Sequence, residues 1–133
     1  MNFIGLIGAG KIARNLMKIM KDFSTKKIIC YHSYVIKDIE RQFNIKMVDT
    51  IEEILSSLEI ISAYVSLTKE TEGPVNKNLF LLMKPDAIFM NTSRGGVVNE
   101  DYLYEGLKNG KSATAGLDVV VDDSVKRNNR LFE

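Results

Sequence analysis

The sequence predicts an α/β protein in three layers, a doubly wound parallel sheet with helices on both faces. Three observations predict it. Runs of strand length alternate with stretches of helical periodicity along the whole chain, which calls for crossover connections and hence parallel strands. The first run, residues 2–7 (Asn-Phe-Ile-Gly-Leu-Ile), is apolar throughout rather than alternating, as in a strand covered on both faces. A glycine turn, Gly8-Ala9-Gly10, follows at once and opens a helix.

The elements follow in order. After the strand 2–7, a helix is predicted over 11–21, with Ile12, Leu16, Ile19 and Met20 facing the core and Arg14, Lys18 and Lys21 left for solvent. It ends near 22–25. Residues 27–31 make the second strand, and 35–43 a helix with Val35, Ile39 and Phe43 on one stripe. Residues 46–48 make a very short third strand. Asp49-Thr50-Ile51-Glu52-Glu53 is a helix start with a capping box, Thr50 taking the amide three residues on and Glu53 reaching back. Its buried face is Ile51, Ile54, Leu55 and Leu58. The fourth strand spans 60–65, a helix 76–83, and the fifth strand 87–90. A helix over 99–108 is closed by Gly110, and the sixth strand spans 113–120.

Composition sets the class. At 133 residues the chain suits a single domain, 1–133. Its 45% apolar content and formal charge of +1, from 18 basic and 17 acidic residues, describe a neutral globule. The basic residues are dispersed and lack interleaved aromatics, so no nucleic-acid partner is expected. No apolar run approaches the roughly 18 residues that span a bilayer, and the N-terminus lacks the features of a secretory signal. Cys30 is alone within an apolar run, which makes it a buried small hydrophobe rather than half of an internal disulfide. These features predict a cytoplasmic protein, and no metal site is expected.

Gly8-Ala9-Gly10-Lys11-Ile12-Ala13 fits Gly-x-Gly-x-x-Gly/Ala between a strand and a helix, the dinucleotide fingerprint of a Rossmann-type domain. Gly8 permits the tight turn, Gly10 lets the backbone approach a pyrophosphate, and Ala13 lets the helix pack close on the sheet. The first helical amides and the helix dipole then face the negative charge. About 20 residues on, at the end of the second strand, an acidic residue should accept the ribose hydroxyls. Here that position is His32. Without a carboxylate, nothing repels a 2′-phosphate, and His32, Ser33 and Lys37 are donors that could bind one. The cofactor is therefore read as NAD or NADP.

The segment from Ala87 to Glu100 places Arg94 on a glycine-softened turn directly after an apolar strand. In an open parallel sheet that is where ligands gather, and an anionic substrate would meet the guanidinium there. Asn91-Thr92-Ser93-Arg94-Gly95-Gly96 resembles a signature of the D-isomer-specific 2-hydroxyacid dehydrogenases. The resemblance implies that Arg94 grips the carboxylate and carbonyl of a small 2-hydroxy or 2-oxo acid, with Thr92 and Ser93 beside the nicotinamide. It adds the amides of Lys11 and Ile12 as pyrophosphate contacts. It also places the Val65 backbone and the Thr71 hydroxyl near the cofactor, although Ser66 stands where the family has a proline. Gly116-Leu117-Asp118-Val119 matches a family stretch in which the aspartate, here Asp118, accepts from the nicotinamide carboxamide. Five residues later Asp123, followed by Ser124, occupies the place of a glutamate that orients the catalytic histidine. The family commonly tends to a tyrosine followed by aspartate where this chain has Tyr31-His32.

The resemblance also implies a substrate domain built from chain before and after this one, a histidine farther downstream, and a homodimer. The 133 residues leave room for neither the substrate domain nor that histidine. The chain is therefore expected to be the cofactor-binding domain of an NAD(P)-dependent oxidoreductase, binding dinucleotide without turnover when isolated. His32, the one histidine, lies at the adenosine end. The alternative is a non-catalytic dinucleotide-sensing or dimerisation module derived from the same family, supported by the departures at His32, Ser66, Asp123 and Ser124. Another Rossmann enzyme, such as a β-hydroxyacid dehydrogenase, explains the glycine turn but not Asn91 to Gly96.

Overall fold

Strands β1 (Phe3–Ile7), β2 (Lys27–Tyr31), β3 (Lys46–Val48), β4 (Ile60–Ala63), β5 (Ile88–Asn91) and β6 (Thr114–Leu117) form one sheet in the order β3-β2-β1-β4-β5-β6. Every neighbouring pair is parallel. The computed structural model describes residues 3–23, 27–34, 36–66, 80–109, 114–121 and 128–132. Val35, Thr71, Gly110, Asp123, Ser124 and the first half of the predicted helix 76–83 lie outside these residues. The chain builds outward from β1 to β3, then returns across β1 to lay down β4. Between β1 and β4 the connections leave in opposite directions, which opens a crevice at the strand ends.

Helices α1 (Lys11–Asp22) and α2 (Ile39–Phe43) cover one face, where Ala13, Met17, Ile39 and Phe43 pack with Ile4, Leu6, Ile28 and Cys30. Helices α3 (Ile51–Ser57) and α4 (Glu100–Lys108) cover the other, joining Ile54, Leu55 and Leu103 to Ile7, Ile61 and Phe89. The Phe80 ring meets Phe89 edge-on at 5.3 Å between centroids, within that second layer. The two clusters are the two cores of the predicted three-layer arrangement.

Several boundaries differ from the sequence reading for identifiable reasons. On α1 the fully buried residues are Ala13 and Met17, while Ile12 and Ile19 are 70% and 55% exposed. The helix presses on the sheet through its small residue, and that rotates Ile12 outward. Helix α2 begins at Ile39, four residues later than predicted, because Asp38 adopts a left-handed backbone (φ 62) that no helix can contain. The cap of α3 is half of the expected box. Thr50 Oγ1 accepts from the Glu53 amide at 3.3 Å, but the Glu53 carboxylate takes the Thr50 hydroxyl rather than its backbone N–H. Strand β4 ends at Ala63 and β6 at Leu117, both shorter than predicted. Helix α4 is capped by Asn99, whose side chain accepts from the Tyr102 amide at 3.1 Å. Two short 3-10 segments, Gly95–Val97 and Arg130–Phe132, had no periodic signal in the sequence.

Candidate functional site

Strand register creates the site. Tyr31, Ile7, Ala63, Asn91 and Leu117, the last residues of β2, β1, β4, β5 and β6, pair side by side across the sheet. The residues that follow them, His32, Gly8, Tyr64, Thr92 and Asp118, therefore emerge along one edge. A cleft of about 1030 Å³ opens there, lined by the glycine turn, the start of α1, the tip of β2 and the segment 64–66. It lies at the point where strand order reverses, the position where this architecture binds dinucleotides.

Gly8 has φ +105, and a Cβ there would stand 2.5 Å from the Tyr64 carbonyl oxygen, so both the conformation and the space demand glycine. Gly10 behaves oppositely. A Cβ at Gly10 would meet no atom within 4 Å, so nothing in the described protein occupies the space beside it. That empty approach borders the N-terminus of the 12-residue α1, where unpaired amides and the helix dipole favour an anion. Lys11 and Ile12 supply the first amides, and both side chains are exposed. The open glycine, the helix end and the cleft together fit the pyrophosphate of a dinucleotide, and Val65 lines the same cleft.

At the adenosine side, Ala9 is held from two directions. Its N–H donates to His32 Nδ1 at 3.4 Å, and its carbonyl accepts from Arg14 Nε at 3.0 Å. Burial and the nearby Arg14 charge hold the His32 pKa below the usual imidazole value, so the ring is neutral near pH 7. Ser33 is exposed beside it, and the Tyr34 ring lies against the imidazole with centroids 4.3 Å apart. Arg14 and Lys18, assigned to solvent by the sequence reading, line the cleft together with Lys11. Successive spacings of three and four residues, from Lys11 to Arg14 and from Arg14 to Lys18, put all three on one helix stripe, a signal the sequence already held.

At the other end, Asn91 is 1% exposed and closes the turn that carries Arg94. Its Nδ2 donates to the Arg94 carbonyl at 3.0 Å, and its Oδ1 accepts from the Ser93 amide and hydroxyl at 3.1 and 2.8 Å. Thr92 and Arg94 stay exposed, with the guanidinium donating to the Ser93 carbonyl at 2.8 Å. Asp118 follows β6 on the neighbouring strand, and its amide donates to the Asn91 carbonyl at 3.1 Å. Arg94 and Asp118 thus flank adjacent strand ends.

A family model described as D-isomer specific 2-hydroxyacid dehydrogenase, NAD binding domain, matches residues 2–133. The chain belongs to this family. It is 36% identical over 125 residues to D-3-phosphoglycerate dehydrogenase of Methanocaldococcus jannaschii, covering 94% of this chain and 24% of that protein. Among solved structures, the apo form of Rhodotorula graminis D-mandelate dehydrogenase matches with a TM-score of 0.88 and 28% identity, over 99% of this chain and 38% of that one. D-lactate dehydrogenase from Lactobacillus jensenii, solved with NAD+, matches with a TM-score of 0.82 and 30% identity, over 95% and 39% respectively. The chain spans about a quarter to two fifths of the length of these relatives.

A chain of this NAD binding domain family takes a nicotinamide dinucleotide, and the cleft beside the glycine turn fits one. Two residues outside the sequence reading of the site tie it together. Asn91 was quoted there only as part of a motif, yet it is what holds the Arg94 turn. Glu100 accepts from the Val121 amide at 2.6 Å through Oε1 and from Asn129 Nδ2 at 3.1 Å through Oε2. It therefore clamps the chain on both sides of residues 122–127, the stretch that contains Asp123. Gly95 completes that contact, since a Cβ there would overlap the Val120 carbonyl group. Arg130 continues it, pairing with Asp101 and Glu105 at 3.2 Å each and lying over the Tyr104 ring. Among the described residues no group of three or more His, Cys, Asp or Glu is placed to hold a metal, and no helix is long and apolar enough to cross a membrane.

Proposed function

We propose that, in the whole protein, this edge carries hydride transfer between a small D-2-hydroxy acid and the corresponding 2-oxo acid. The observation that carries the reading is the placement of Arg94, an exposed guanidinium on a turn locked by a buried Asn91, beside Asp118 on the edge that begins at the glycine turn. When bound, the nicotinamide supplies or accepts the hydride. Arg94 holds the substrate carboxylate with paired N–H groups and draws charge toward the neighbouring carbonyl oxygen. Asp118 accepts from the nicotinamide carboxamide and fixes which ring face is offered. Thr92 and Ser93 would lie beside the nicotinamide, and the Val65 backbone and the Thr71 hydroxyl would contribute near the cofactor. Asp123 orients the group that moves the substrate proton.

That proton needs a donor titrating near neutrality. His32 cannot serve, because β2 stands three strand spacings from β5, about 14 Å at roughly 4.8 Å each. The isolated 133-residue chain is accordingly expected to bind NAD(P)H and to show negligible turnover of 2-oxo acids. In the whole protein, Arg94→Gln should lower kcat/KM for the 2-oxo acid by about a hundredfold or more, the loss of a bidentate charged contact. An unchanged kcat/KM, or robust turnover by the isolated chain, contradicts these roles. A whole protein that binds dinucleotide and reduces no 2-oxo acid is instead the non-catalytic module. Ile12, Ile19 and Phe23, exposed on one stripe running along and past α1, support a homodimer, and light scattering that reads a monomer in the whole protein contradicts it.

A further inference from the structure

We infer that the cleft is built for the 2′-phosphorylated dinucleotide, NADP, and that His32 and Arg14 together make that choice. The inference rests on the dinucleotide reading and deepens it. The described lining of the main cleft includes the cationic side chains of Lys11, Arg14 and Lys18 and not one Asp or Glu. A carboxylate at the tip of β2 would bind two ribose hydroxyls and repel a phosphate on either of them. His32 reverses that preference. Because its Nδ1 accepts from the Ala9 amide, the neutral ring carries its proton on Nε2, a donor where a carboxylate could only accept.

Arg14 stands next to it for a structural reason. The two side chains hold the two backbone groups of one residue, His32 the Ala9 N–H and Arg14 the Ala9 carbonyl. Arg14 spends its Nε–H on that anchor and keeps its terminal N–H groups, while its charge acts directly on His32. A guanidinium fixed beside a neutral imidazole, in a cleft with no carboxylate among its described lining residues, is a positive site that a phosphate dianion would balance. On the other side of His32 a smaller cleft carries Ser33 and Lys37, but also Asp38, Glu40 and Asp49. The charge pattern therefore places the 2′-phosphate on the Arg14 side.

The test is titration of the 133-residue chain with NADPH and NADH, read by reduced-nicotinamide emission, which no tryptophan of this chain overlaps. Adenosine 2′,5′-bisphosphate and AMP, titrated by calorimetry, isolate the adenosine half. NADPH should bind at least about tenfold more tightly than NADH, the size of one hydrogen bond between charged groups, and the bisphosphate should exceed AMP likewise. His32→Asp should reverse the preference. Arg14→Gln should weaken NADPH by about tenfold more than it weakens NADH, whose loss reports only the Ala9 anchor, and that ratio decides the matter if His32→Asp fails to fold. NADH binding as tightly as NADPH, or AMP as tightly as the bisphosphate, overturns the inference and leaves the dinucleotide reading standing. Binding of none of the four by a chain shown to be folded by circular dichroism overturns both.

Discussion

Asn91 shows how one buried polar side chain can turn a strand end into a binding feature. A buried amide is costly unless paired, and this one is paired on both sides, through Nδ2 to the Arg94 carbonyl and through Oδ1 to Ser93. The turn it closes is what lets Arg94 stay exposed while its backbone is fixed. Asn91→Ala should cost about 1–3 kcal/mol in urea unfolding, because it strips partners from backbone groups inside the turn. A stability equal to that of the parent chain would mean the turn is held by something else. Cys30 makes the opposite use of burial. Its thiol is fully covered, and burial pushes its pKa up to about 12, which makes it packing rather than chemistry.

At the scale of elements, the sequence is most legible where a local signal has a local cause. Strands β2 and β3 match their predicted bounds because short apolar runs are bracketed by polar turns. Helix α3 starts at its predicted cap and α4 within one residue of its predicted start, because Thr50 and Asn99 bind amides within their own first turn. Helix α1 was misread in orientation, since Ile12 and Ile19 form a stripe as regular as that of Ala13 and Met17, and only the sheet decides which stripe is buried. Arg14 and Lys18 do stay out of the core as predicted, but the space they face is the cleft. The left-handed Asp38 that shortens α2 leaves no pattern in composition. Glu100 was legible only as a helix opener, because its partners, Val121 and Asn129, lie 21 and 29 residues away. If it is a clamp, Glu100→Ala should speed amide exchange at Val121 and Leu131 by about tenfold or more while leaving α1 unchanged. Unaltered exchange at both would remove the clamp from the account.

Across the whole molecule, one register explains why chemistry scattered from Gly8 to Asp118 meets along a line. Five strands end in one row, so each turn that follows contributes to the same edge, from His32 through the glycine turn to Thr92 and Asp118. Fold class and the ends of that line were readable from motifs, because glycine turns and the Asn91 to Gly96 signature are local. The charge balance of the cleft and the locking of its turns depend on residues that meet only in the folded sheet. At 15.0 kDa the chain suits amide-resolved NMR, and adding NADPH to it tests the central claim most directly. The account predicts shifts concentrated at Gly10 to Ile12, His32 to Ser33, Val65, Thr92 to Ser93 and Asp118, with the exposed face of α4 unmoved. Shifts centred on α4, or none along the strand ends at saturating dinucleotide, would contradict it.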